Sequence, residues 1–269
     1  MRPASILPDA SRPMPLLNLR GFAALYAMEV RRAVDGWQYA ILAPVLTTLL
    51  FFAVFSLALG GTRAPVMGVA FLEFVAPGLV AMTALSTAFE AAGWSTIDSK
   101  VTGTMDSFVA APLRPGEIVA AFLLAAMSAG LVNGALVLVC LVPLVEAGPA
   151  DPLLMLGYGV AGTTVAAALG LAAGIWAEKF DHVASVQSFA VAPLVFLSGA
   201  FFPVADYGRI LDDVMHANPF FWITDGIRQG QIGVGEAEAA LTLPLAGIAA
   251  AVAALACQRL VAAGWRLRR

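Results

Sequence analysis

Six long apolar segments, separated by shorter polar stretches, dominate the sequence. Each can cross a hydrocarbon layer about 30 Å thick, which takes about 20 residues of helix. Charge within them is confined to Glu73 and Glu90, near the two ends of the second segment. The pattern predicts an all-α polytopic membrane protein with six transmembrane helices. The predicted spans are Gln38–Leu59, Val69–Ala91, Ile118–Val142, Leu153–Trp176, Ala184–Phe202 and Ala239–Cys257.

Composition supports this class of protein. Hydrophobic residues make up 60% of the chain and charged residues 12%, whereas soluble domains have about 45–50% and about 25%. The net charge of −3 gives no indication of a nucleic-acid partner. Membrane lipids are therefore the expected surroundings.

Positive charges predict the orientation. If the N-terminus is cytoplasmic and the six spans alternate, twelve of the fifteen Lys and Arg residues lie on the cytoplasmic side. Arg63, Arg209 and Arg228 are the three assigned to the outer side. This asymmetry follows the positive-inside rule. Both termini are therefore predicted to be cytoplasmic.

The N-terminal part precedes the first span. Residues 1–17 contain four prolines and no apolar core, which predicts a disordered leader. Residues 18–269 are interpreted as a single transmembrane domain. Over residues 18–37, apolar side chains share one side of a helix and charged ones the other, as in an interfacial helix that lies flat on the membrane. The alternative is a helix packed on a soluble domain, but the rest of the sequence leaves no segment to form such a domain.

Two connecting segments predict short helices. The cytoplasmic loop Ala92–Glu117 should contain a helix over Thr104–Ala111 that Pro112 ends. The outer segment Gly199–Glu238 should contain helices over Asp206–His216 and Pro219–Gln229, the second capped by Asn218. The second helix is too apolar for water, so the segment is predicted to be re-entrant. The alternative is a surface loop on the aromatic belt.

Several residue types are interpreted as structural. The pairs Gly130/Gly134 and Gly170/Gly174 have the spacing at which helices approach closely. Cys140 and Cys257 are expected to be small buried hydrophobes, and Glu73 and Glu90 to lie near the membrane interfaces. Neither the two histidines nor the two lysines stand in a metal-binding or phosphate-loop motif. No catalytic, metal or cofactor-binding residue is predicted.

Three short motifs resemble a known family. Residues 74–79 read FVAPGL, residues 108–113 read FVAAPL, and residues 196–203 read FLSGAFFP with Asn218-Pro219 following. Their order against six spans resembles that of ABC type 2 transporter permeases. The chain is most similar to bacterial export permeases of the nodulation-factor and drug-resistance kind. The resemblance covers residues 18 to 269.

The resemblance implies a permease subunit in the bacterial inner membrane. It would work as a homodimer with two copies of a separately encoded ABC ATPase, on which ATP and Mg would bind. It would export an amphiphilic substrate, such as a lipid, a lipo-oligosaccharide or a hydrophobic drug, and a tentative substrate path would include Phe74, Pro77 and Gly78. The implied ATPase-coupling residues are Arg31, Arg32, Asp98, Lys100, Thr104, Asp106, Phe108, Val109, Pro112 and Arg114. The implied outer-gate residues are Gly199, Phe201, Phe202, Pro203, Asn218, Pro219, Phe220 and Ile223.

Two other functions stay open. A membrane-embedded enzyme acting on lipid-linked substrates would need a cluster of carboxylates, histidines or serines at one membrane face, and the sequence reveals none. A channel or scaffold is the other possibility, and hydroxyl side chains are too scattered to predict a polar pore. Pro77-Gly78 allows both a functional kink and simple helix packing.

Overall fold

The computed structural model describes residues 18–59, 64–203 and 215–264. Apart from a single bridge between Val66 and Val69, the regular secondary structure in these ranges is helical. The helices are α1 Leu19–Asp35, α2 Gln38–Leu59, α3 Phe71–Val101, α4 Thr104–Ala110, α5 Pro115–Val145, α6 Pro152–Trp176, α7 Phe180–Phe196, α8 Pro219–Ile232 and α9 Ala239–Ala262. Helices α2 and α7 each include one π-helical turn, at Gln38–Leu42 and Gln187–Val191.

Five of the described helices, α2, α3, α5, α6 and α9, are long and apolar enough to cross a membrane. The all-helical, multi-span architecture predicted from the sequence is thereby confirmed. The fifth predicted span, 184–202, corresponds to α7, which is apolar but shorter than the other five. The count of six spans therefore stays a prediction. Residues 1–17 and most of the predicted helix Asp206–His216 lie outside the described residues.

The predicted loop Ala92–Glu117 is wrong over its first residues. Helix α3 does not stop at Ala91 but continues to Val101. Gly103, with φ of +77°, then provides a left-handed turn into α4. Asp98 and Lys100 therefore lie on the last turns of a long helix and not in a loop. The predicted helix 104–111 is confirmed to within one residue, and Pro115 opens α5 as expected.

Helix α3 is the centre of the bundle, and glycines bring its neighbours against it. A Cβ atom on Gly130 of α5 would lie 2.5 Å from the Ala84 carbonyl oxygen, and one on Gly170 of α6 would lie 2.1 Å from that of Phe89. Gly174 is equally close to Thr96. Real side chains do not approach backbone to such distances. The packing role predicted for these glycines is confirmed.

We predict that Gly170→Ala destabilises the bundle. The added methyl group meets the backbone of α3, so whole helices must move apart, and overpacking typically costs about 1–3 kcal/mol. Gly247→Ala in α9 is the matched control, because a Cβ atom there meets nothing within 4 Å. Thermal unfolding of the purified proteins in detergent should show a lower Tm for the first variant alone. Equal Tm values for both variants would contradict close packing at Gly170.

Candidate functional site

A cavity of about 570 Å³ opens between α1, the start of α2, α3, α5 and the start of α7. Most of its wall is apolar. Four aromatic side chains contribute, Tyr39, Trp94, Phe122 and Phe180, and the Trp94 and Phe180 rings stack at 5.9 Å between centroids. Charged side chains from α1 and α3 complete the lining. The cavity is therefore amphiphilic.

The π-helical turn of α2 forms part of this wall. Tyr39 and Ala40 belong to the turn and line the cavity. The side-chain amide of Asn133 on α5 donates a hydrogen bond of 3.0 Å to the Ala40 carbonyl oxygen. A buried amide thus holds the widened turn against the bundle. Such turns frequently occur at functional sites.

Arg32 joins α1 to α3 through three groups. Its guanidinium donates a 2.6 Å hydrogen bond to the Ser95 hydroxyl, and it lies 3.5 Å from a Glu29 carboxylate oxygen and 3.7 Å from one of Asp98. The Ser95 hydroxyl in turn donates to Glu29. The sequence analysis placed Glu29 and Arg32 on the polar side of the interfacial helix. That is wrong for Glu29, which is only 6% exposed.

Burial disfavours the charged form of Glu29. Burial raises the pKa of this carboxyl above its ordinary value, and the charge of the nearby Asp98 raises it further. The hydrogen bond from Ser95 and the charge of Arg32 act in the opposite direction. A buried carboxylate is stable only when it is paired in this way. Arg32 is therefore occupied within the chain.

Glu90 lies in the wall of the cavity. One of its carboxylate oxygens accepts a 3.0 Å hydrogen bond from the side-chain amide of Gln187, in the π-helical turn of α7. Because α3 continues to Val101, Glu90 lies about 16 Å from the end of that helix. The interpretation of Glu90 as an interfacial carboxylate assumed that the helix ends at Ala91. The sequence analysis missed this residue for that reason.

The residues implied in ATPase coupling gather at one end of the bundle, but several already bind the chain itself. Lys100 donates to the carbonyl oxygens of Ile175 and Ala177, at 2.6 and 2.5 Å, and so caps the C-terminus of α6. Phe108 packs edge-on against Phe122 at 6.1 Å. Arg32 and Asp98 hold α1 on α3. These four contacts explain local structure without a partner.

The other implied coupling residues surround a surface on α1, α4 and the start of α5. Five of them are exposed, namely Arg31, Asp106, Val109, Pro112 and Arg114. Thr104 is half-buried, and its hydroxyl lies 2.9 Å from that of Thr102. On α4 the buried Met105 and the half-buried Phe108 face the bundle, whereas Val109 is exposed. We name the five exposed residues the coupling surface.

Arg228 on α8 is fully buried, although the sequence analysis placed it on the outer side. Its guanidinium lies 3.3 Å from Asp225, donates to the Gly199 carbonyl oxygen and stacks 4.1 Å above the Phe74 ring. The Asp225 carboxylate also accepts hydrogen bonds of 2.9 and 3.0 Å from the backbone N–H groups of Glu236 and Ala237. We name this cluster the outer latch.

The implied gate residues surround the outer latch. Asn218 caps α8, accepting from the backbone N–H of Phe220 at 3.0 Å and donating to the Leu194 carbonyl oxygen at 2.6 Å. Phe220 and Ile223 are buried, as are Gly199, Phe201 and Pro203, whereas Phe202 and Pro219 are exposed. Helix α8 is thus sheltered by α3, α6 and α9. Its entry into a membrane stays a prediction.

The residues assigned to a substrate path are closely packed. Phe74 and Pro77 are buried, and a Cβ atom on Gly78 would lie 2.3 Å from the Ala200 carbonyl oxygen. Gly78 therefore permits α3 to touch the backbone that follows α7. Of the two interpretations of Pro77-Gly78, helix packing is the one that these contacts support. A lined cavity lies elsewhere on α3, beside Glu90.

The fold and these sites define a polytopic membrane protein, and sequence comparison gives its family. The family described as ABC-2 type transporter matches residues 20–232, and the chain belongs to that family. It is similar to the inner membrane transport permease YadH of Escherichia coli, with 24% identity over 245 residues, 91% of this chain and 96% of that protein. The chain is therefore a multi-pass transport permease.

Two further relatives come from rhizobia. Nodulation protein J of Azorhizobium caulinodans is 26% identical over 203 residues, and that of Sinorhizobium fredii is 27% identical over 209 residues. Each match covers 75% of this chain and 79% of the relative. The resemblance predicted from the three motifs is confirmed.

We predict that Asp225→Asn strongly destabilises the outer part of the bundle. The change leaves the buried Arg228 charge without its counter-ion, and breaking a buried pair in this way costs about 3–5 kcal/mol. Glu238→Gln is the control, since Glu238 is exposed at the start of α9. A fall in Tm confined to Asp225→Asn is the expected result. An unchanged Tm would show that the pair contributes little to holding α8.

Proposed function

We propose that this chain is the membrane-spanning subunit of an ATP-driven exporter. Two copies of it would work with two copies of a separately encoded ABC ATPase. Membership of the ABC-2 type transporter family is the observation that carries the proposal. ATP and Mg would bind on the partner, because neither lysine of this chain stands in a phosphate-binding motif.

The proposed topology has both termini in the cytoplasm. The distribution of Lys and Arg supports it. In this orientation α1, α4 and the coupling surface face the cytoplasm, and α8 with the outer latch lies towards the far side. The surface available to the ATPase is then the one that combines exposed Val109 with the charges of Arg31, Asp106 and Arg114.

The proposed substrate is amphiphilic and leaves the cytoplasm or the inner leaflet. The cavity supports this class, because its aromatic and alanine side chains suit an acyl chain or a ring system, and its charged side chains suit a polar head. Lipids, lipo-oligosaccharides and hydrophobic drugs share this chemistry. The names of the rhizobial relatives concern nodulation and do not restrict the choice further.

A membrane-embedded enzyme is the other candidate, and one observation favours it. The fold brings Ser95, Glu29 and Asp98 together, a cluster that the sequence did not reveal. However, the Ser95 hydroxyl donates to Glu29, and Arg32 engages all three side chains. These contacts attach α1 to α3. The cluster is therefore accounted for as a structural tie, and the permease is the better-supported function.

For the coupling surface we predict that Val109→Asp weakens binding of the ATPase about tenfold or more, because the interface would bury an unpaired carboxylate. Val109 is 37% exposed, so the Tm of the permease should not change. Phe108→Asp tests this surface less cleanly, because it also removes the contact with Phe122. It should therefore lower the Tm as well.

Co-purification of tagged permease with the ATPase measures this effect. Ala263→Asp, exposed just after α9, is a control on the same proposed side. Retention of the ATPase by Val109→Asp at the wild-type level would place the coupling surface elsewhere.

For the outer gate we predict slow labelling of a cysteine at Ile223 in the resting transporter. Ile223 is 1% exposed, so a membrane-impermeant thiol reagent should reach it only when α8 moves during ATP turnover. Cysteines at Phe220 and Ile227 should behave alike, whereas one at exposed Glu238 should label at once. The background protein should lack both native cysteines.

Two outcomes would contradict the gate. Rapid labelling at Ile223 in the resting state would make α8 an ordinary surface segment. If the cysteine at Ile223 is protected from the reagent during turnover as fully as it is at rest, α8 is a static part of the bundle.

A further inference from the structure

The cavity beside α1 carries an excess of negative charge. Glu29, Glu90 and Asp98 line it, together with a single cation, Arg32. Arg32 pairs with Glu29 and Asp98. The hydrogen-bond partner of Glu90 is the neutral amide of Gln187, and no Lys or Arg of the described ranges forms an ion pair with it. The cavity thus keeps one carboxylate that lacks a counter-ion.

Two unpaired acceptors accompany Glu90. The Thr87 hydroxyl lines the cavity, and the residue is only 5% exposed, yet its oxygen has no hydrogen-bond partner in the described part of the chain. The half-buried Gln187 side chain lies beside Glu90, and its carbonyl oxygen also lacks a hydrogen-bond partner among the described residues, because its amide nitrogen is the group that donates to Glu90. Unpaired buried polar atoms of this kind usually receive a ligand or water.

These groups share a helix face and a hydrogen-bonding character. Thr87 and Glu90 are three residues apart on α3, so their side chains are neighbours. Trp94 follows one turn later and brings an aromatic ring to the same face. A primary ammonium group has three donors and no acceptor. It could bond to Glu90, Thr87 and Gln187 together, and its charge is also attracted by an indole face.

An apolar chain would extend from that head along the rest of the wall. Phe122, Ala126 and Ala129 of α5 provide small and aromatic contacts there. A carboxylate head would instead meet three carboxylates and would be repelled. The chemistry of the wall therefore distinguishes between amphiphiles of opposite charge.

We propose that this cavity binds an amphiphile with a primary ammonium head, held by Glu90, Thr87 and Gln187, as the substrate taken from the inner leaflet. The inference rests on the proposed exporter function only for the transport step. Binding itself needs no ATPase, so the permease alone suffices for the test.

The probe is a long-chain alkylamine with a nitroxide on its chain, compared with the alcohol and the carboxylate of equal length. Permease in phosphatidylcholine nanodiscs is titrated with each probe near pH 7, where the amine is protonated. Trp94 lies in the cavity wall, so its fluorescence, obtained as the difference from a Trp94→Phe variant, should be quenched by a bound nitroxide. The amine should quench it saturably and at least about tenfold more tightly than the carboxylate.

Variants connect the signal to the named groups. Glu90→Gln should weaken the amine about tenfold or more, because it replaces a charge-assisted hydrogen bond by a neutral one. Thr87→Val should weaken it about threefold. Glu73→Gln, on the same helix but outside the cavity, should have no effect.

The inference is overturned if the three probes quench Trp94 equally, if Glu90→Gln binds the amine like the wild type, or if a second copy of the chain covers the cavity and no probe reaches Trp94. Failure of the exporter proposal has a different signature. The amine would then bind with the expected dependence on Glu90, but ATP and the partner ATPase would not move it.

Discussion

Close packing of α3 against glycines of α5 and α6 is the constraint on which the other features depend. Lipid tails are as apolar as leucine, so helices in a membrane associate through close contact and hydrogen bonds and not through water exclusion. Gly130 and Gly170 supply that contact by bringing backbone against backbone. Once α3 is fixed, the positions of Phe74, Glu90 and Asp98 along it are fixed as well. The cavity beside Glu90 and the outer latch are both built on this one helix.

Two arginines, the half-buried Arg32 and the fully buried Arg228, contact α3 at opposite ends. Arg32 reaches Ser95 and Asp98 near the C-terminal end of α3, and Arg228 stacks on Phe74 near its N-terminal end. These contacts are 24 residues apart on one helix, about 36 Å at 1.5 Å per residue. A rigid element of that length connects the interfacial helix to the outer latch. Motion of α1 by a bound ATPase would therefore act on a helix that also touches the outer segment.

Sequence reasoning located the elements better than it located the site. Apolar runs without charge predicted the bounds of α2 and α6 and the start of α9 closely, because a membrane span imposes length and composition directly. The end of α3 was missed, since polar residues such as Asp98 and Lys100 resemble a loop when only hydropathy is considered. The α4 helix was found from Pro112 and its flanking residues. Local signals were sufficient wherever the structure depends on residues that are neighbours in the sequence.

Tertiary contacts explain the remaining errors. Glu29 has the sequence spacing of a solvated charge, and only its contact with Ser95, 66 residues away, reveals its burial. Arg228 follows an apolar run, and its burial depends on Asp225 and Phe74, which surround it. Glu90 lies in the cavity wall, and its hydrogen-bond partner Gln187 is 97 residues away in the sequence. Long-range pairing of this kind leaves no periodic signature in a single sequence.

The central claim is that this chain moves its substrate only through an ATPase on another polypeptide. The direct test is to measure ATP hydrolysis and amphiphile export in proteoliposomes with the permease alone, the ATPase alone and both together. The account predicts no hydrolysis by the permease alone, and export only when both proteins are present. ATP turnover by the purified permease, or export that needs no ATPase, would contradict it.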